Sequence, residues 1–130
     1  MARARKWNKQ QITSVIETQL FGLFGAKVEK AAKVGALNAA RHLLRRSQKI
    51  VPIDTGDLKK SGAIIDESRP GYARYVVTYS QHYAIYVHEN LMAMHAPGKQ
   101  AKFLEGPAQQ DRELLQQIVA DEIQKALDSL

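Results

Sequence analysis

The sequence predicts an α+β fold, and three observations carry that prediction. Two stretches with apolar residues three and four apart come before residue 50. A run of aromatic and β-branched residues occupies the middle, and a long apolar-striped helix closes the chain. Segregated helices flanking a hairpin place the sheet strands next to one another and antiparallel. The expected architecture is an antiparallel sheet with N-terminal helices, a long helix packed across it, and a long C-terminal helix.

Residues 12–23 are expected to form the first helix, because Ile12, Val15, Ile16, Leu20 and Leu23 fall at helical spacing. Gly22 and Gly25 mark its end. A second helix is expected over residues 26–49. Its inward stripe is Val28, Ala32, Ala36, Ala39 or Ala40, Leu43 and Ile50, and the alanines permit close packing. Its other side carries Lys27, Lys30, Lys33, Arg41, Arg45, Arg46 and Lys49. Pro52 should stop it, since proline disfavours a helical conformation in the residue before it. Residues 54–61 form a short helical turn, with Asp54 or Thr55 as its cap and Asp57 suited to the positive end of the dipole.

Ala63-Ile64-Ile65 and residues 72–79 read as two strands of a hairpin. Ser68-Arg69-Pro70-Gly71 is the turn between them. Residues 83–89 read as a short helix with Tyr83, Tyr86 and Val87 on one face, and residues 90–102 as an exposed loop. The final helix carries Leu114, Leu115, Ile118, Val119, Ile123, Ala126, Leu127 and Leu130 as one wide stripe, with Pro107 near its start. It is expected on one face of the sheet, beside the alanine-rich helix. Residues 1–24 form an N-terminal helical arm on this reading, and residues 25–130 the main domain.

A length of 130 residues suits one domain. The absence of cysteine excludes disulfides, thiolate catalysis and cysteine-ligated zinc. No apolar run approaches the roughly 18 residues that span a bilayer, and no membrane partner is expected. The basic start at Arg3, Arg5 and Lys6 leads into Trp7 and Asn8 without a signal-peptide apolar stretch, so a cytoplasm, or a particle assembled there, is the expected setting. The net charge of +6 is unevenly spread. Residues 1–49 hold eleven Lys and Arg against Glu17 and Glu29, and residues 50–130 hold eight against eleven Asp and Glu. Such a split suits a face for nucleic acid, or a subunit whose basic end meets a neighbour's acidic end. A solvated helix face with no partner is the third possibility.

Asp54-Thr55-Gly56 matches the aspartic-protease triplet, in which two subunits each supply one aspartate. The surroundings argue against it: a long helix and Pro52 precede, and Asp57-Leu58-Lys59-Lys60 follows. A helix cap explains the same residues. His88-Glu89 lacks the second histidine of a zincin, because Met92 stands there. His42, His82 and His95 have no metal-like spacing with His88. No phosphate-binding loop, dinucleotide fingerprint or nucleophile elbow occurs. Neither catalysis nor a cofactor or metal is expected. The basic helix, and tyrosines such as Tyr72, Tyr75 and Tyr79 as stacking platforms, keep a DNA-binding accessory protein as the alternative function.

Three segments together resemble a known family. Val51-Pro52-Ile53-Asp54-Thr55-Gly56-Asp57-Leu58-Lys59-Lys60-Ser61 comes first, Tyr83-Ala84-Ile85-Tyr86-Val87-His88-Glu89 second, and the segment Lys99 to Ala108 containing Phe103-Leu104 third. In this order and spacing the chain resembles the tailed-phage neck and tail-completion proteins, the minor tail-component group typified by the tenth gene product of a lambdoid phage. The likeness covers roughly residues 25–130. It implies a sheet with a long helix packed across it and a non-enzymatic virion protein, built in host cytoplasm. The implied assembly is a head–tail joining ring compatible with sixfold symmetry, of about six or twelve copies. Its implied partners are other copies of itself, the portal-side connector proteins, the tail terminator or tail tube, and the packaged DNA that passes through. On this reading Pro52, Asp54, Thr55, Gly56 and Leu58 shape a turn, and Tyr83, Tyr86, Phe103 and Leu104 hold the sheet and last helix. Lys27, Lys30, Lys33, Arg41, Arg45 and Arg46 face the DNA channel or a neighbour's acidic residues such as Asp121, Glu122 and Asp128. The strand at residues 72–79 is expected as an exposed joining edge.

Overall fold

A computed structural model describes residues 12–19, 25–52, 56–80 and 102–130. Along these, the order is β1 (Ile12–Gln19), α1 (Gly25–Ile50), α2 (Asp57–Lys60), β2 (Gly62–Asp66), β3 (Tyr72–Tyr79), α3 (Glu105–Gln110) and α4 (Arg112–Asp128). The three strands form one antiparallel sheet in the order β1-β3-β2. The α+β class predicted from sequence is the class observed.

The helix expected over residues 12–23 is instead a strand at its described positions. Ile12, Thr13, Val15, Ile16 and Thr18 are β-branched, so χ1 crowding disfavours helix and a pleated surface suits them. Alternation, not a period near four, governs β1. Ser14, Ile16 and Thr18 are half-buried, while Thr13, Val15 and Glu17 are exposed. Ile12 stands opposite Tyr79 and Gln19 opposite Tyr72, so the pairing partner lies more than fifty residues away. This strand makes β3 the central strand. The joining edge expected at residues 72–79 is therefore paired on both sides, and the outer strands are β1 and β2.

The hairpin of β2 and β3 turns through Pro70-Gly71. Gly71 has φ +72°, a conformation that proline followed by glycine supplies cheaply. Arg69 and Tyr72 close the turn with paired backbone hydrogen bonds of 2.8 Å.

Helix α1 lies across one sheet face. Val28, Ala32, Ala36, Ala39, Ala40 and Leu43 are buried as expected, and Ile50 is half-buried against the core. From β3, Ala73, Tyr75, Val77 and Tyr79 join them, with Val51, Leu58, Phe103, Leu104 and Leu115 closing the cluster. Val76 and Thr78, on the opposite face of β3, are also buried.

Two polar side chains enter this core with partners. Ser47 and Tyr79 share a hydroxyl–hydroxyl hydrogen bond of 2.8 Å, and Gln48 Nε2 donates to the Tyr79 hydroxyl and to the Lys59 carbonyl. Burial pushes the Tyr79 phenol up to about 12, which keeps it neutral and able to donate. Gly62 makes room for this arrangement. A Cβ there would stand 2.3 Å from Gln48 Nε2 and 2.9 Å from the Tyr79 ring.

Helix α4 lies beside the alanine-rich α1 as expected and antiparallel to it, and it buries its face mainly on α1, with Leu115 reaching the core cluster shared with β3. Lys27 Nζ donates to the Ser129 carbonyl at 3.1 Å, Gly35 meets Val119, and Arg46 reaches Asp111. A helix needs a narrower apolar face against one helix than against a sheet. Of the expected stripe, Leu115 and Ala126 are buried, and Ile118, Val119, Ile123 and Leu127 are half-buried. Leu114 and Leu130 are left exposed.

Candidate intersubunit and DNA-facing surfaces

The signature residues occupy one end of the core. Helix α1 ends at Ile50, the Val51 amide donates to the Ser47 carbonyl at 2.9 Å, and Pro52 follows where no further amide can. Gly56 has φ +84°, takes the cap position of α2, and makes no side-chain cap hydrogen bond. The cap expected at Asp54 or Thr55 is thus at Gly56, and those two residues lie outside the described residues. A left-handed backbone, which glycine adopts without a Cβ penalty, takes the place of a side-chain cap. Leu58 is buried under the turn. Lys59 and Lys60 fill the last turn, where cations suit the negative end of the dipole.

Phe103 and Leu104 are fully buried. The Phe103 ring meets the edge of Tyr79, with centroids 5.0 Å apart and planes at 87°. One aromatic contact therefore fastens the segment before α3 to the central strand. Pro107, expected near the start of the last helix, is buried in α3, a short helix that precedes α4. Tyr83, Tyr86, His82, His88, Met92 and His95, with the helix and loop expected over residues 83–102, fall outside the described residues except for Lys102.

The six basic side chains of α1 expected at the DNA channel or a neighbour divide into two sets. Lys27 caps the C-terminal end of α4, Lys33 pairs with Asp66 at 3.3 Å, and Arg46 Nε donates to Asp111 Oδ2 at 2.8 Å. Lys30, Arg41 and Arg45 are exposed and have no ion-pair partner among the described residues. The structure thus separates six residues that helical spacing had grouped as one basic face.

Asp111 is the residue that sequence reading passed over. It stands at the N-terminal boundary of α4, a usual place for a cap, but makes no cap hydrogen bond. Its carboxylate accepts from Arg46 and from His42 Nε2 at 2.9 Å, and Arg46 Nη2 also donates to Gln110 at 2.9 Å. Helix α1 is thereby clamped to the α3–α4 junction. Sixty-five or more residues separate the partners, so no local motif announces them.

The Arg46 hydrogen bond, followed by that from His42, holds the Asp111 carboxyl below its ordinary range. Glu17 is lowered first by the Tyr72 hydroxyl and then by Arg74; at Asp66 burial opposes ionisation, but hydrogen bonds from Ser68 and Lys33 outweigh it. A carboxyl depressed in the folded state stabilises the fold above its unfolded pKa, and that contribution is lost as pH falls through the folded value. Stability should therefore decline below about pH 4. Asp111→Asn should cost about 1–2 kcal/mol near neutral pH. The gap to the wild type should narrow in acid, at about pH 3, because protonation of the unfolded and then of the folded carboxyl removes this contribution. Urea midpoints at the two pH values check this. A gap that stays constant would remove Asp111 from the acid transition.

The opposite face of the sheet carries a second charge relay. Arg74 on β3 reaches Glu67 at 3.0 Å and Glu17 on β1 at 2.9 Å. The Tyr72 hydroxyl donates to the same Glu17 carboxylate. The Glu67 hydrogen bond, above all, keeps Arg74 firmly charged. Cross-strand pairs of opposite charge also help hold the β1 register.

Among the described residues, two open grooves stand out. One, of about 400 Å³, lies between the N-terminal turns of α1 and the β2–β3 turn, among Lys30, Lys33, Ser68, Arg69 and Tyr72. Arg69 stands 4.7 Å over the Tyr72 ring. The other, of about 430 Å³, runs between β1 and α4 and is lined by Ile16, Leu115, Val119, Ala120 and Ile123. Among the described residues no helix is long and apolar enough to cross a membrane, and no three His, Cys, Asp or Glu side chains gather as a metal site.

No protein-family model, curated protein or solved structure matches the chain.

Proposed function

We propose that this chain is a structural protein of a phage neck, one copy in a ring that joins the DNA-filled head to the tail and lets DNA pass. The observation that carries the reading is the position of the two outer strands. β1 and β2 flank a shared central strand and, among the described residues, each pairs on one side only. Two different edges on opposite sides of one sheet suit a heterologous contact, in which each copy offers one surface and receives the other. Next to the β1 edge lies the apolar groove against α4, with Val15 and Leu114 also exposed. That combination of unpaired backbone and apolar surface favours a protein neighbour.

The resemblance in the signature segments points the same way, and the described signature residues have structural work. Gly56 turns the backbone, Leu58 anchors the turn, and Phe103 and Leu104 fasten the last helices. Packing needs explain them without a reaction. The portal-side connector proteins and the tail terminator or tube are the neighbours this reading implies above and below the ring.

The test is a joining assay. Phage particles made without this polypeptide should separate into full heads and free tails, and added purified protein should restore joined, infectious particles. Normal infectious particles formed without the chain would end the proposal.

A further inference from the structure

We infer that the open face of α1, from Arg45 through Arg41 to Lys30, is a track for the phosphodiester backbone of double-stranded DNA. The choice of DNA deepens the neck reading and rests on it; the demand for a polyanion comes from the surface itself. Lys30 and Arg41 are eleven residues apart, three helical turns, so they share one side of α1 at a separation of about 16 Å, and Arg45 continues the line by about 6 Å. Glu29, half-buried, is the one acidic residue in the whole helix.

A neighbouring subunit is the competing occupant, and two observations disfavour it. Of the acidic residues of α4, Asp121, Glu122 and Asp128 already accept a hydrogen bond within their own helix. Asp121 accepts from Gln117 at 2.6 Å, Glu122 from Lys125 at 3.2 Å, and Asp128 from Gln124 at 2.7 Å. Second, the strip offers one exposed apolar side chain, Val34, amid its cations. Protein interfaces need a dry apolar centre, and lysine is depleted there because its desolvation is expensive. Phosphates instead bind cations through released counterions and leave them hydrated. The apolar surface suited to a protein neighbour lies elsewhere, beside β1.

The experiment is fluorescence anisotropy of a short labelled duplex with the full-length protein, over a series of salt concentrations. Contacts to about three phosphates predict an affinity that falls about 40-fold between about 50 and 200 mM salt. A triple variant, K30E with R41E and R45E, should lose binding across that range. The corresponding triple alanine variant should bind more weakly and show a much shallower salt slope. All three positions are exposed, so far-ultraviolet circular dichroism should be unchanged, and K125E on α4 should bind as the wild type does. Absence of wild-type binding at the lowest salt, or a triple variant that binds like the wild type, would overturn the inference. So would a triple variant that keeps DNA binding but fails to join heads to tails, since the strip would then be a protein contact. A failure of the neck reading is recognised separately, by joined particles in the complete absence of the chain.

Discussion

Replacing Phe103 by alanine should destabilise the protein by about 3–5 kcal/mol, the range for truncating a buried aromatic residue. That is a large share of the roughly 5–15 kcal/mol that holds a typical domain together. Phe103 is fully buried and packs edge-on against Tyr79, whose hydroxyl is tied to Ser47 and Gln48. Truncation removes the transfer free energy of the ring and opens a cavity beside a polar cluster. The Ser47 and Gln48 partners would then be held by a tyrosine free to shift. Urea unfolding followed by circular dichroism measures the effect. Phe103→Leu keeps most of the volume and should lose less than half as much. A loss below about 1 kcal/mol for Phe103→Ala would show that the segment before α3 does not secure the fold. On the proposed function, the alanine variant should also join heads to tails poorly at elevated temperature, because the copies that form the ring would be partly unfolded.

Gly35→Leu should cost about 3 kcal/mol or more by overpacking the crossing of α1 and α4. A Cβ at Gly35 would lie 3.0 Å from the Val119 Cα and 3.1 Å from its carbonyl oxygen. Both are backbone atoms and cannot rotate aside as a side-chain end would. The Glu122 Cβ, at 3.2 Å, closes the third side. Gly35→Ala is the informative companion. Alanine favours helix over glycine by about 1 kcal/mol, which offsets a shift of a few tenths of an ångström in α4. Its stability should fall within about 1 kcal/mol of the wild type. Leucine cannot be accommodated by so small a shift, so α4 must lift and the Asp111 clamp and Lys27 contact weaken with it. Equal stability of the leucine and glycine forms, measured by urea midpoint at unchanged slope, would mean that the two helices do not cross this closely.

How much was legible in advance differs from element to element. The inward stripe of α1 was readable because burial there follows one helix's own period, and Val28 through Leu43 obey it. The hairpin was readable because Pro70-Gly71 and the β-branched run of β3 are local signals. The β1 segment is not legible this way: Ile12, Val15 and Ile16 satisfy a helical spacing by coincidence, while the strand exists because β3 is there to pair with it. The final helix and its place beside α1 are legible in its stripe, but the stripe is wider than the buried face, since α4 packs mainly on α1 and leaves Leu114 and Leu130 exposed.

The candidate surfaces divide in the same way. Composition and spacing identify a basic α1, while a turn at Gly56 and structural roles for Leu58, Phe103 and Leu104 are what the resemblance in the signature segments implies. Only the tertiary structure decided which cations remain open. It committed Arg46 to Asp111, Lys33 to Asp66 and Lys27 to Ser129, and left Lys30, Arg41 and Arg45 facing outward. It also moved the free strand edges from β3 to β1 and β2. Local sequence encodes φ/ψ preference and the polarity of a face, because both act over a few residues. Pairing of strands, closeness of helices and neutralisation of charge depend on groups tens of residues apart, and folding alone brings those together.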